Sequence, residues 1–395
     1  MLVPLLVVFL AAGPSPHLSA DSAEALVRRI QAVVEAGRAE AERAAWVRER
    51  PRDDVGAERR TLALATLDRL TYRDADAERE YATLLHADSV RNDAFGYGLL
   101  GAGALRAQEA RLAEAEPFLR RAVAALGTAS SAGTATALGT LAIVVSRTVS
   151  VDSALHVFDG ALRAVPPRDN WLRSWIGCNV LVYARVRRAD PQVARLARPM
   201  ADSAIRAGNR RGAAACLAAL AQDYERRTMI DSALATFGEV ADLQRATRNL
   251  SALAVSRQWQ GYVLSSRGQF GPARAALSEA LSLGRQTGTA AAAAWASLGL
   301  SDLALTFGDL PASGAYARTA SALFARTGDR WGALDARMHE GDVALLNRAT
   351  GAARAAYEEV ARNAPAIAPT NGVHARGRIV EIRADADISG RHARR

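Results

Sequence analysis

Small and bulky apolar residues recur along the chain at a fixed spacing. The stretches VDSALHVFDGAL (151–162) and IDSALATFGEVA (230–241) lie 79 positions apart, and each places an alanine four residues before a phenylalanine. Further copies lie midway between the two stretches and on either side of them, at intervals of 38 to 40 residues. The aligned residues are Ala77, Ala115, Ala154, Ala194, Ala233, Ala273, Ser313 and Ala353. A fixed period of this length predicts stacked structural repeats.

Each copy has the pattern of two antiparallel helices. A bulky side chain often follows four residues after the aligned position and a small one three residues later, which places all three on one helix face. Another small residue lies twelve positions earlier, where it would let a preceding helix cross closely. These small residues are Ala65, Gly103, Ala142, Ala221, Gly261, Ser301 and Gly341. Because Pro191, Pro272 and Pro311 stand where the second helix would begin, the chain is predicted to be an all-α solenoid of about eight antiparallel helix pairs.

Taken together, these features resemble the tetratricopeptide repeat (TPR) family. The small residue of the first helix, the alanine of the second, the aromatic residue four positions later and a closing proline such as Pro166 cover roughly residues 58–368. The period exceeds the usual ~34 residues, so the resemblance is to a long-helix variety. It implies a right-handed α-solenoid whose first helices line a concave face. The fourth copy departs from the pattern at Val182 and Pro199, which predicts local distortion or a shifted register there.

The two ends of the chain differ from the repeats. Residues 1–20 resemble a secretory signal with a possible cleavage site after Ala20, which predicts export to the periplasm or beyond. If this segment is not a signal peptide, the chain is expected to be cytoplasmic. Residues 21–50 are predicted to form one amphipathic capping helix. Residues 369–395 are expected to be a basic tail or the start of a further repeat.

The charge and the two cysteines add little to this picture. All 50 basic residues are arginine, which is typical of a GC-rich bacterial genome, and they are dispersed among 41 acidic residues. A solvated surface of mixed charge is therefore a better interpretation of the net charge of +9 than nucleic-acid binding. Cys178 and Cys216 occupy nearly equivalent points of neighbouring repeats, where stacked helices lie ~8–10 Å apart. They are expected to be two buried thiols.

No pattern of catalytic, cofactor-binding or metal-binding residues is found in the sequence. His339, Glu340 and Asp342 are close in sequence, but successive residues of a helix point in different directions, so a solvated helix face is expected. The chain is predicted to be noncatalytic, with no cofactor, no metal and no transmembrane anchor.

The predicted concave face is the candidate functional surface. Ten residues of the first helices are expected to point into it: Tyr97, Asn179, Tyr183, Gln222, Arg226, Gln258, Tyr262, Trp295, Asp302 and Asp342. Amide and aromatic side chains of this kind bond to a peptide backbone and pack on its side chains. The sequence therefore predicts a scaffold that binds a protein or peptide partner. The alternative is that the repeats are the sensor arm of a larger effector, such as a caspase-like peptidase, a kinase or a transcription regulator.

Overall fold

The computed structural model describes residues 22–86, 92–109, 111–127, 129–186, 189–327, 329–364 and 373–382. The predicted signal segment, 1–20, lies outside these residues. Helices dominate the described part, and no strand occurs within it. The helices are α1 Ala23–Glu35, α2 Ala39–Arg48, α3 Asp54–Leu70, α4 Asp74–His86, α5 Asp93–Gln108, α6 Leu112–Leu126, α7 Ser131–Thr148, α8 Val151–Ala164, α9 Asn170–Val180, α10 Gln192–Arg206, α11 Arg210–Arg226, α12 Ile230–Ala246, α13 Leu250–Ser266, α14 Phe270–Gln286, α15 Ala290–Thr306, α16 Leu310–Thr327, α17 Arg330–Leu346, α18 Thr350–Asn363 and α19, 373–382.

Helices α3 to α18 form eight antiparallel pairs that stack into an α-solenoid, which confirms the predicted fold class. Where the small residue of the first helix is a glycine, it faces the bulky residue of the second helix. A Cβ atom added at Gly261 would lie 2.5 Å from Leu277, and one added at Gly341 would lie 2.6 Å from Tyr357. The small residue is thus required by the close approach of the two helices.

The turns between the later helices share one backbone feature, a residue in the left-handed region. From α10 onwards these residues follow one another at intervals of 20 positions: Gly208, Thr228, Arg248, Gly268, Gly288, Gly308 and, 40 positions further on, Arg348. One left-handed residue lets the chain leave one helix and begin the next within a short turn. The regular turns therefore keep the stacking uniform.

The fourth pair is irregular, and its register differs by one residue from the predicted one. Helix α9 passes directly into a π-helical turn, Leu181–Arg185. In the next helix Val193, and not Ala194, is fully buried at the aligned position. Because a π-helical turn accommodates an additional residue, it shifts the buried face that follows. Pro199 is accommodated inside α10.

The two cysteines form a disulfide, so the prediction of two separate thiols is wrong. Cys178 of α9 and Cys216 of α11 have their Cα atoms only 4.7 Å apart, and both residues are fully buried. The ordinary spacing of helix axes does not limit this distance. Residues at the contact line of two helices come much closer than the axes do.

Residues 22–50 form two helices, so the prediction of a single helix over 21–50 is wrong. The chain reverses at Gly37, which has a φ of 75°. A helix cannot continue through a left-handed residue, so α1 ends before it and α2 begins after it. The buried face of α1, with Leu26, Ile30 and Val34, packs against α3 and α5.

Candidate binding groove on the concave face

A groove lies along the inner face of the later repeats, between α13, α15 and α17 on one side and the ends of α5 and α7 and the π-helical turn after α9 on the other. Its volume is about 880 Å³, within the range of pockets that bind small ligands. It is called the aromatic groove below. Its lining residues are Gln108, Arg147, Tyr183, Asn249, Ser251, Ala252, Val255, Gln258, Trp259, Tyr262, Thr289, Ala290, Ala291, Ala292, Trp295, Leu298, Asp302, Trp331 and Asp335.

Trp295 is the centre of the aromatic wall. Its ring packs edge-on against Phe324, with 4.8 Å between the ring centroids, and lies 4.9 Å from the ring of Trp331. The hydroxyl of Tyr262 donates a hydrogen bond to the carbonyl oxygen of Trp295, and burial strongly raises the pKa of Tyr262. These contacts fix Trp295, whereas Trp331 remains 44% exposed. The wall thus offers a large apolar surface to a partner in the groove.

Polar groups occur at defined places along the same groove. Gln258 is buried, and its amide makes no hydrogen bond to another described residue. At the rim, Nε2 of His339 lies 2.5 Å from Oδ1 of Asp302, and Nδ1 of His339 lies 2.9 Å from the carbonyl oxygen of Asp335. Burial alone would lower the pKa of His339, but the hydrogen bond to Asp302 and its charge raise it to about 9. His339 is therefore charged at neutral pH and paired, and the prediction of a solvated helix face is wrong for this side chain.

Five of the ten residues predicted from the sequence line the aromatic groove: Tyr183, Gln258, Tyr262, Trp295 and Asp302. They come from α13, α15 and the π-helical turn after α9. The spacing of the repeats brings them together although they span 120 residues of sequence.

The other five lie elsewhere. Asn179 is buried and donates to the carbonyl oxygen of Trp175 within its own helix. Asp342 accepts a hydrogen bond from the hydroxyl of Tyr357, between α17 and α18. Both side chains stabilise the helices, since their polar atoms are engaged within the fold. The remaining three residues lie outside the aromatic groove: Tyr97, Gln222 and Arg226.

Several groove residues were not predicted from the sequence, although the repeat period of about 40 residues identifies their positions. Val255 and Asp335 lie 40 positions on either side of Trp295. Trp259 and Trp331 lie 36 positions on either side of it. Because equivalent positions of successive first helices point to the same face, stepping by about one repeat from Trp295 predicts this set.

The inner face of the first repeats is occupied by the chain itself, because α1 lies across it. The backbone N–H of Ala23 donates to Asp93 of α5. Arg28 forms an ion pair with Asp169 at the start of α9. Oε1 of Glu35 lies 3.1 Å from Nε of Arg211 in α11. One hydrogen bond and two ion pairs therefore tie α1 to three different repeats.

A second cavity remains between α1 and this inner face, and is called the inner chamber below. Its volume is about 260 Å³. Tyr97 lines it, with its hydroxyl 3.3 Å from Oγ of Ser130, and burial strongly raises the pKa of Tyr97. Tyr97 therefore faces an interior space that α1 covers, rather than the aromatic groove.

The described residues include neither a cluster of metal ligands nor a membrane-spanning helix. No three His, Cys, Asp or Glu side chains in that part of the chain converge as metal ligands. None of the helices within the described ranges combines the length and apolar character needed to cross a membrane.

The likeness to known proteins is one of structure only. No protein-family model matches the chain, and no curated protein matches it in sequence. It is similar to a signal transduction ATPase with numerous domains (STAND) that carries a tetratricopeptide repeat sensor, from Pyrococcus horikoshii. The TM-score is 0.57 at 11% identity, and the match covers 95% of this chain and 63% of that one. The chain thus spans less than two thirds of the STAND structure.

A second similar structure is the apo form of the quorum sensor NprR from B. thuringiensis. The TM-score is 0.53 at 12% identity, with coverage of 86% of this chain and 96% of that one. At such low identities the likeness establishes the fold alone, a solenoid of TPR-like helical repeats.

Proposed function

We propose that this protein is a noncatalytic TPR-like scaffold, of the long-helix variety, that binds a peptide or a partner's helix in the aromatic groove. The observation that carries the proposal is the exposed ring of Trp331 beside the fixed ring of Trp295. Together they form an apolar surface inside a concavity. An apolar surface enclosed in this way is typical of a recognition site.

The polar groups of the groove suit a peptide. The buried amide of Gln258 has both a donor and an acceptor, and makes no hydrogen bond within the described chain. It is thus suited to a peptide unit, which also has one donor and one acceptor. The Asp302–His339 pair at the rim supplies a second polar contact. We expect a bound peptide to place a bulky apolar side chain between Trp295 and Trp331.

The position of α1 on the concave face supports a helical partner. Helix α1 is amphipathic and is held against the inner face of the first repeats by an apolar stripe and by the ion pairs of Arg28, at its middle, and Glu35, at its end. A helix in a groove is a recurrent mode of recognition. The concave face therefore has the curvature to hold a helix, and the aromatic groove continues this face in the later repeats.

The disulfide supports the proposal that the protein is exported. Bonds such as Cys178–Cys216 persist mainly in the periplasm and outside the cell, because cytosolic thiols are kept reduced. The signal-like segment at residues 1–20 predicts the same compartment.

Selection of peptides from a random display library on the immobilised protein tests the function. We expect enriched peptides to share a bulky apolar residue, and Trp331→Ala to weaken their binding by about tenfold or more, as for a buried aromatic contact. Phe307→Ala is the matched control, since Phe307 is also an exposed aromatic residue (58%) but lies outside the groove. The proposal fails if selection enriches no sequence, or if Trp331→Ala and Phe307→Ala bind the selected peptides equally.

A second candidate is that these repeats are the sensor arm of a larger effector. The similar STAND structure carries a tetratricopeptide repeat sensor, and the match leaves more than a third of that chain uncovered. The intact mass of the protein from its native host tests this alternative. A mass well above 41.8 kDa would support a larger effector, and a mass at or below this value would contradict it.

A further inference from the structure

The inner chamber is separate from the aromatic groove and is covered by α1. It lies between one side of α1, with Val27, and the inner helices of the first repeats. The apolar stripe of α1 faces α3 and α5, so the space towards α7 and α9 stays unfilled. At about 260 Å³ the chamber is slightly below the ~300–1,000 Å³ of drug-sized ligand pockets, which suits a small molecule.

The walls of the chamber are mostly apolar. Leu100 of α5 and Ile143 of α7 form two of its sides, and Trp171 and Trp175 of α9 form another. Flat indole rings and branched aliphatic groups favour an aromatic or branched aliphatic body in the ligand.

One end of the chamber carries an arginine without a partner. The side chain of Arg69 forms no hydrogen bond or ion pair with another described residue, and its Nε is buried. A buried donor without an acceptor is costly, and an arginine binds a carboxylate through two parallel hydrogen bonds. A carboxylate in the chamber would therefore supply an acceptor that the guanidinium of Arg69 lacks.

The acidic side chains of the chamber are already engaged. Glu24 accepts a hydrogen bond from Ser130 and pairs with Arg28 at 3.2 Å. Glu35 lies 3.1 Å from Arg211, which also donates to the carbonyl oxygen of Thr247. Arg69 is thus the arginine of the wall that no carboxylate contacts directly, and Asp74 acts on it through its charge alone.

We propose that the inner chamber binds a small organic carboxylate with an aromatic or branched apolar body, whose carboxylate pairs with Arg69. The body packs against Trp171, Trp175 and Ile143, under α1. This site is additional to the proposed peptide groove and does not depend on it.

Titration calorimetry of the full chain with phenylacetate and 4-methylpentanoate tests this inference, with the uncharged phenylacetamide as the comparison ligand. We expect at least one carboxylate to bind saturably, phenylacetamide to bind at least about tenfold more weakly, and Arg69→Gln to cause a similar loss. Arg79→Gln is the matched control, because Arg79 is 72% exposed on α4 and lies outside the chamber.

A second variant keeps the test decisive if Arg69→Gln fails to fold. Ala104 lines the chamber, and Ala104→Leu fills empty space there, so we expect it to fold and to abolish binding. The inference is overturned if neither carboxylate binds saturably, if phenylacetamide binds as tightly as phenylacetate, or if Ala104→Leu binds like the unaltered chain. Peptide binding in the aromatic groove is measured separately, so either proposal can fail alone.

Discussion

The hydroxyl of Tyr72 caps helix α13 at Ser251, 179 residues further along the chain. The backbone N–H of Ser251 donates to the Tyr72 hydroxyl at 3.0 Å, and this hydroxyl lies 3.3 Å from Oγ of Ser251. The first N–H groups of a helix have no acceptor within the helix, and α13 has no capping side chain of its own. The first repeat thus contacts the sixth across the concave side.

Tyr72→Phe removes this tertiary cap. We expect a loss of about 1 kcal/mol in the free energy of unfolding and faster hydrogen exchange at the Ser251 amide, because no acceptor within α13 replaces the hydroxyl. Chemical denaturation and residue-resolved hydrogen exchange measure the two effects. Tyr316→Phe is the control, since its hydroxyl forms no hydrogen bond to another described residue. Unchanged exchange at Ser251 would mean that the contact does not persist in solution.

Asp74, two residues from Tyr72, makes stability depend on pH. Burial, together with repulsion from Glu109, raises the pKa of Asp74 to about 6 against the opposing charge of Arg69. The folded chain therefore holds this proton more tightly than the unfolded chain does. Its contribution to stability is fully present below about pH 4 and is lost as the pH rises through about 6.

Asp74→Asn should remove this loss. The rise in the pKa of Asp74 corresponds to about 3 kcal/mol in the free energy of unfolding. Because Asp74 is only about half buried, screening by solvent reduces the effect, and we expect a gain on the order of 1 kcal/mol at pH 7 to 8 that vanishes below about pH 4. Urea unfolding at several pH values measures it. Asp54→Asn, at the exposed start of α3, should show no such gain. A gain for Asp74→Asn that is equal at pH 4 and pH 8 would contradict the assignment.

The sequence predicted the repeats well because their packing is local and periodic. Gly261 and Leu277 lie in one helix pair, and the same small-to-bulky contact recurs in other pairs, as between Gly341 and Tyr357. The cap at Ser251 and the ion pair of Glu35 with Arg211 join distant repeats, and no period encodes them. For the same reason, half of the predicted site residues line the groove, whereas Tyr97 faces a chamber formed by the unpredicted course of α1.

Gly261→Ala tests the small position of the first helix. The added methyl group would lie 2.5 Å from Cγ of Leu277, so we expect a loss of about 1–3 kcal/mol from overpacking despite the better helix propensity of alanine. Thermal unfolding followed by circular dichroism measures this loss. Gly271→Ala in α14 is the control, because a Cβ there meets no atom within 4 Å. It should be neutral or slightly stabilising. If Gly261→Ala leaves the stability unchanged, the helix pair α13–α14 can relax around the added methyl group.

Thr228→Gly should stabilise the chain. Thr228 has a φ of 60°, a left-handed conformation that is unfavourable for a β-branched residue and accessible to glycine. We expect a gain of about 1 kcal/mol. Gly268 occupies the equivalent turn one repeat later with a φ of 71° and no atom within 4 Å of an added Cβ. Gly268→Ala should therefore lower the free energy of unfolding by about as much, because only the backbone conformation disfavours the alanine. If Thr228→Gly and Gly268→Ala change the free energy of unfolding in the same direction, this explanation of the turns is wrong.

The disulfide between α9 and α11 should stabilise the region around the irregular fourth repeat. It closes a loop across 38 positions, for which loss of chain entropy in the unfolded state predicts about 4 kcal/mol, less what native-state strain removes. We expect the double variant Cys178→Ala/Cys216→Ala to unfold at clearly lower denaturant concentration. Thiol titration of the denatured, unreduced protein should detect no free cysteine, and two free thiols would contradict the bridge. If the bond is present, the reductant dithiothreitol should destabilise the unaltered chain and leave the double variant unchanged. Equal sensitivity of the two proteins would assign the effect of reductant to another cause.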